Sequence, residues 1–422
     1  MVSWQNALKV YLKPNVLALF FLGFACGVPY FLIFSTLSFW QKEAGMSLAV
    51  IGFFALCRLP YSIKFLWAPF LDKVKLPWIS AKLGRRRSWG ILFQIGLIFS
   101  LLGLSMVKPV EQTSLMMVMA FLVAFFSASQ DIVVDAWRIE SVSVDEQAVA
   151  NTVYTFGYRA AMFAAVAGAL FMAENIPWAE VYRILPVTIL VGMFAFLVVK
   201  EPNIPGEQKV PATLKEAVIM PLKDFLTRPH WLLILLFILF YKMGEVTLGI
   251  MANPFYLDVG FSKTEIAAII KIYGVGATIA GGFIGGLLTV RYGVMKMLLL
   301  AGMLQAVSNL FYTVLAHLGA NTDFLMLTIT VDNLAAGFGG VVFIAYLSGL
   351  CNVAYTATQY ALLSAIVMFS RDIIAAASGV VAEAVSWDIF FFLTFLSALP
   401  GLLLLVIIMK KIPLTEDKNA KR

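Results

Sequence analysis

Histidine is almost missing from this chain of 422 residues: His230 and His317 are the only two, and both fall at the ends of apolar runs. That argues against His-ligated metal centres and against a Ser-His-Asp set. Cysteine is nearly as scarce. Cys26, Cys57 and Cys351 lie in or beside apolar segments without paired spacing, which speaks against disulfides and zinc and for small buried thiols. A Gly-rich phosphate loop is also missing, so neither metal nor cofactor is expected. Charge is the third shortage. Asp, Glu, Lys and Arg make up 13% of the residues against 61% hydrophobic, and the mean hydropathy is +0.90. A soluble domain does not have that balance.

In place of charge there are apolar runs, each near the ~20 residues that cross a bilayer. Twelve are expected, at 15–39, 48–68, 88–107, 115–137, 149–173, 182–199, 230–253, 264–288, 294–317, 324–350, 355–380 and 387–409. The first is too long for a signal-peptide core and lacks a small-x-small cleavage site, so it reads as a retained anchor. The longest polar stretch, 200–229, contains four prolines between 202 and 221 and five basic residues, and divides the runs six and six. The expected fold is an all-α membrane protein of twelve transmembrane helices. Residues 1–199 form one six-helix bundle, 200–229 a linker whose Thr213–Leu226 part is a surface helix, and 230–422 a second bundle.

Basic residues set the orientation. If the N-terminus is cytoplasmic, inside segments hold 21 Lys and Arg and outside loops 4, with 6 in the spans, counting Arg183 and Lys296 with the loops they border. This is the positive-inside pattern, and it places both termini in the cytoplasm. The net charge of +7 follows from it and calls for no nucleic acid partner.

Against that background one segment is costly. Ser127 to Glu140, SASQDIVVDAWRIE, sets Asp131, Asp135 and Arg138 on one helical face within about 60° of each other. Each charge costs at least ~2.5 kcal/mol near mid-membrane, and less toward a helix end. Such groups line pathways, which makes a transporter the leading reading.

The halves echo each other at one loop. After span two the chain reads APFLDK (68–73), then GRRR (84–87); after span eight it reads GLLTVRYGVMK (286–296), with Val290 where the first copy has Asp72. This loop resembles the signature of the major facilitator superfamily. An acid closing one helix and cations opening the next form an ion-pair latch, here Asp72 with Arg85, Arg86 and Arg87, able to hold one state of a rocking transporter. The resemblance narrows further. LPYSIKFLWAPFLD (59–72), GRRRSW (84–89), SASQDIVVDAW (127–137), GYR (157–159), YKMGE (241–245) and TATQYALLSA (356–365), in order along the chain, are similar to the AmpG-type muropeptide permeases. The resemblance implies import of N-acetylglucosaminyl-1,6-anhydro-N-acetylmuramyl peptides across the bacterial inner membrane, driven by protons. The acetyl-coenzyme A transporters share part of the pattern.

Such a substrate carries carboxylates, and cations near mid-membrane suit it. Lys242 and Lys271 are the first candidates, although Lys242 and Glu245 at i,i+3 can neutralise each other. Arg159 and Tyr158 belong to the matched GYR, and Asn151, Tyr154 and Tyr158 form a polar stripe on span five. Lys64 sits near the inner end of span two, where a lysine can snorkel to the interface. Gln130 beside Asp131, and Gln359 in the TATQYALLSA match, complete the substrate set. Arg371 and Asp372 point about 100° apart and read as structural. Without a mid-membrane histidine, a carboxylate must carry protons; Asp131 is the first choice, then Glu245 and Asp332. Asp135 and Arg138 are expected to join Arg85–Arg87 in the latch. The partners are a small glycopeptide, protons and membrane lipid, with the protein a monomer. A carrier of another anionic solute, such as acetyl-coenzyme A or a peptide, stays open. A membrane-embedded enzyme acting on lipid-linked sugars is the second rival; against it, the chain has no metal-ligand cluster, no Gly-rich phosphate loop and no readable Ser-His-Asp set.

Overall fold

The structure, a computed structural model, describes residues 2–202, 214–262 and 265–411. Every regular element among them is helical. Among the described residues eleven helices are long and apolar enough to cross a membrane: spans one (Pro14–Glu43), three (Arg85–Ser105), four (Thr113–Ser141), five (Val144–Ala173), six (Trp178–Val198), seven (Trp231–Val259), eight (Ala268–Tyr292), nine (Val294–Leu318), ten (Thr322–Gly349), eleven (Val353–Arg371, helical on to Ala384) and twelve (Trp387–Lys411). The expected second span does not appear as one helix. It is a string of short pieces over 48–73, with 3-10 turns at Phe54–Arg58 and Lys64–Leu66. Pro60 and Pro69 each remove a backbone donor, so a single hydrogen-bond ladder cannot run through it. The string still runs from face to face, from Cys57 against Met117 of span four to Asp72 beside Arg85.

Three further helices lie outside the spans among the described residues, the shortest being Ile79–Leu83 in the loop before span three. The linker helix, Leu214–Leu226, matches its expected place. A surface helix at Trp4–Tyr11 is new; Ser3 caps it, its Oγ accepting from Asn6 N–H at 3.2 Å. Arg291 stacks on Trp4 at 4.3 Å and donates to the Val2 carbonyl at 3.1 Å. The face carrying the linker helix and the loops at 74–84 and 350–355 is called the linker face below.

The two latch loops are alike in backbone. Gly84 (φ 87°, ψ 172°) and Gly293 (φ 84°, ψ 155°) each precede a span in a conformation that only glycine adopts freely. The sequence echo is therefore a structural repeat.

Glycine also sets helix separation. A Cβ on Gly157 would lie 1.9 Å from the Phe20 carbonyl oxygen, and one on Gly23 2.1 Å from that of Tyr154, so spans one and five meet backbone to backbone. Spans eight and ten do the same through Gly281 and Gly337. Gly157→Ala is expected to cost about 1–3 kcal/mol, because a backbone carbonyl cannot swing away as a side chain can. Thermal denaturation in detergent should show it, with Gly52→Ala, which meets nothing within 4 Å, left unchanged.

Candidate functional site

A cavity of about 630 Å³ lies where spans two, four, five, seven, ten and eleven converge. Its wall carries three cations, Lys64, Lys242 and Arg371, and three acids, Asp135, Glu245 and Asp332, with Asn151, Tyr154, Tyr360 and Ser364 between them. Local backbone presents two of these cations. Lys64 opens a 3-10 turn, and Lys242 sits at the break between Trp231–Tyr241 and Met243–Val259, with φ −93° and ψ 4°. Departures from the α-helical ladder at a cavity are a common way to aim a side chain.

The acids differ in how they are held. Glu245 is tied to Lys242 at 2.5 Å. Asp135 accepts from Arg138 at 3.1 Å, and Arg138 in turn donates to Gln147 and to Ser348 of span ten. Among the described residues Asp332 is held by neutral donors: Gln305 at 3.0 Å, and Ser308 and Tyr312 at 3.1 Å each. Asp131 stands behind the wall next to Cys26, and Lys64 is the cation that acts on it. Its Oδ1 is buried with no hydrogen-bond partner among the described residues. Lys64 and Arg371 make no salt bridge among the described residues. The cavity therefore has two cations to offer an anionic guest.

At the linker face the halves are bolted together. Asp72 accepts from Arg86 at 2.7 Å on one side. On the other it accepts from the Ala357 N–H (3.2 Å), the Thr358 N–H (2.8 Å) and the Thr358 hydroxyl (2.7 Å). The carboxylate of one half thus caps the first turn of span eleven in the other, where an anion is favoured by the helix dipole. Arg86 also holds Glu140 at 2.5 Å, and Arg85 donates to the Asp72 carbonyl. Arg87 donates to the carbonyls of Phe196 and Leu197 at 2.6 Å, and Glu201 receives the N–H groups of Arg86 and Arg87. The linker helix adds a second bolt. Asp224 accepts from Gln359 at 2.8 Å, Asn352 at 3.1 Å and Arg228 at 2.5 Å. Burial raises the Asp224 carboxyl, but those three donors outweigh it and hold the group below its ordinary value, so it stays ionised.

Known proteins resemble this chain over nearly its whole length. The putative transporter AmpG 4 of Rickettsia felis is 36% identical, over 96% of this chain and 99% of its own. The anhydromuropeptide permease of Escherichia coli K12 is 34% identical, over 95% of this chain and 81% of its own. The chain belongs to the AmpG permease family. It is a multi-pass membrane transporter and not an enzyme. The family model for acetyl-coenzyme A transporter 1 also matches, over residues 15–183. In fold, this AmpG-family chain is similar to the major facilitator transporter FucP in its outward conformation (TM-score 0.69, 14% identity, 94% of this chain and 99% of that one). It is similar as well to the proton:xylose symporter XylE (TM-score 0.63, 11% identity, 96% of each chain).

Several expected residues of this AmpG-family chain fall elsewhere than the sequence suggests. Lys64 does not snorkel: it is 6% exposed and faces the cavity. Gln130 is fully buried and donates to Cys26 at 3.1 Å, away from the cavity wall. Gln359 is committed to the linker bolt, donating to Asp224 and the Pro221 carbonyl. Asp135 and Arg138 pair with each other and not with Arg85–Arg87, whose acids are Asp72, Glu140 and Glu201. Tyr158 packs at a tilt against Tyr30 and Phe31 in an aromatic cluster. Arg159 lines a side chamber of about 160 Å³ that shares Asn151, Ala336 and Gly340 with the main cavity. The side chain of Lys271 lies outside the described residues. Arg371, read as structural, is on the cavity wall. Glu140 and Glu201 escaped notice because both find Arg86 across a long separation in sequence; Asp224 pairs locally with Arg228, but Gln359 and Asn352, which tie it to the second bundle, are far away in sequence.

Proposed function

We propose that the protein imports anhydro-muropeptides, N-acetylglucosaminyl-1,6-anhydro-N-acetylmuramyl peptides, from the periplasm to the cytoplasm for cell-wall recycling, coupled to protons. The observation that carries this reading is the pair of unsalted cations, Lys64 and Arg371, on the wall of a 630 Å³ cavity where Glu245 and Asp135 are each paired with a cation. A guest with peptide carboxylates and a polar disaccharide matches that wall: the carboxylates meet Lys64 and Arg371, and the sugars meet Asn151, Tyr154 and Ser364. The name of the Escherichia coli relative supports the same substrate class. Lys242 joins the substrate set when Glu245 releases it, and Arg159 serves from the side chamber.

The protein sits in the inner membrane with both termini and the linker face in the cytoplasm, as the 21-to-4 split of basic residues favours. Residues 1–199 and 230–422 rock as two bundles about the cavity, and a monomer suffices. With the linker face bolted, the present state is closed toward the cytoplasm. Asp131 carries the proton.

Uptake of labelled muropeptide into proteoliposomes tests the substrate. Accumulation should rise with an inward proton gradient and be competed by unlabelled muropeptide, while acetyl-coenzyme A and a free tripeptide compete at least tenfold less well. The match to the acetyl-coenzyme A transporter model gives the rival its weight. Equal competition by acetyl-coenzyme A would transfer the substrate assignment to that class.

The latch makes a separate prediction. Asp72→Asn weakens charge-assisted bonds to Arg86 and to the first turn of span eleven, together about 2 kcal/mol. The linker face should open more often, and alkylation of native Cys351, at that face, should speed up about thirtyfold. Substrate affinity should stay within about threefold. Unchanged Cys351 reactivity together with lost binding would make Asp72 a binding residue and not a latch.

A further inference from the structure

Between spans one and six, at their linker-face ends, a groove of about 850 Å³ opens on the outer surface of the molecule. Its walls are apolar, and the side chains along them that are most exposed, Phe194 (68%) and Val198 (65%), project where a bilayer would lie. One end of the groove is different in kind. Lys13, Asn15 and Lys200 all line it there. Lys200 is exposed and its ammonium has no ion pair among the described residues. Lys13 is half-exposed and bonded to Glu146 at 2.5 Å, which uses one of its three donors.

The depth of this end follows from the surface helix. Trp4–Tyr11 is amphipathic, exposes Trp4 and Leu8, and leads through Leu12 and Lys13 into Pro14 at the start of span one. A helix of that kind rests at the boundary between headgroups and acyl chains. The two lysines at its end therefore stand at headgroup level, with the apolar groove running below them into the hydrocarbon. We propose that the groove is a binding site for a phospholipid with an anionic headgroup. Its tails lie between spans one and six, its phosphate is held between Lys13 and Lys200, and the Asn15 amide is a further donor. An apolar partner helix would fill the walls but would have no use for the cations. A lipid of zwitterionic headgroup would bring a cation of its own toward them. Basic pockets between transmembrane helices recognise anionic headgroups on the same grounds. The proposal stands independently of the transported substrate.

Native mass spectrometry of the detergent-purified full-length protein tests it, with dioleoyl phosphatidylglycerol or dioleoyl phosphatidylcholine added. The wild type should retain one phosphatidylglycerol about tenfold more strongly than phosphatidylcholine, and the double variant Lys13→Gln, Lys200→Gln should lose that preference while keeping phosphatidylcholine retention. Val191→Trp, which fills the groove, should lower retention of both lipids. Equal retention of the two lipids by the wild type would overturn the proposal. So would an undiminished preference in the double variant, checked for unchanged melting. Retention unaffected by Val191→Trp would place the lipid elsewhere and overturn it too.

Discussion

Asp131→Asn is expected to abolish gradient-driven accumulation while leaving counterflow of substrate at near wild-type rate. The three candidate proton carriers differ in what a proton would disturb. Protonating Glu245 means breaking its 2.5 Å contact with Lys242. Protonating Asp332 adds a donor where Gln305, Ser308 and Tyr312 already donate. Asp131 has a buried Oδ1 that accepts from nothing among the described residues, so a proton there displaces no existing bond. Lys64, the cation that acts on Asp131, also faces the cavity, so on the proposed function an anionic substrate and the Asp131 carboxylate would compete for one cation. That shared cation is a physical means of coupling: substrate bound to Lys64 leaves Asp131 uncompensated and favours its neutral form. Asn mimics the neutral form permanently, so substrate exchange persists and net proton movement stops. Asp131→Glu should keep partial coupling. Wild-type accumulation in Asp131→Asn would move the proton role to Glu245 or Asp332. Loss of counterflow as well would make Asp131 a structural or ligand group.

The crossings were legible in the sequence because a bilayer imposes a length and an apolar composition on each one, whatever packs beside it. The latch loops were legible for a similar reason, since an acid, a glycine and clustered arginines meet within one short segment. Side-chain direction was harder to read. The place of Lys64 near the inner end of its span leaves it free to snorkel, but the 3-10 turn at Lys64–Leu66 turns it inward. Gln359 looked like a ligand because its neighbours in sequence match the family, but its partners Asp224 and Asn352 come from the linker helix and the loop before span eleven. Arg138 was placed with the arginine cluster by depth alone. Gln147 and Ser348, which hold it, come from a neighbouring turn and from the other half of the chain. Depth follows from sequence, whereas azimuth and long-range pairing depend on how the helices dock.

Arg86→Met is expected to be the most damaging of the latch substitutions, for folding as well as for transport. Arg86 is fully buried between Asp72 at 2.7 Å and Glu140 at 2.5 Å, and each of the three side chains is 1% exposed. This one guanidinium bridges both carboxylates; without it Asp72 keeps the neutral donors of Ala357 and Thr358, and Arg85 reaches Glu140 at 3.9 Å. Removing it leaves two like charges facing each other out of water, a loss of about 3–5 kcal/mol for a broken buried pair. Thermal unfolding in detergent should fall steeply and yield should drop with it. Arg86→Lys should be intermediate, because it keeps the charge but cannot span both acids as a planar fork does. The triple variant Arg86→Met, Asp72→Asn, Glu140→Gln separates the electrostatic cause from lost packing. With the acids neutralised it should recover most of the stability while its linker face opens as in Asp72→Asn, since the cap on span eleven is still weakened. A single Arg86→Met protein that melts like the wild type would show that water or other donors satisfy the two acids. A triple variant no more stable than the single one would assign the loss to packing of the arginine stem against its neighbours.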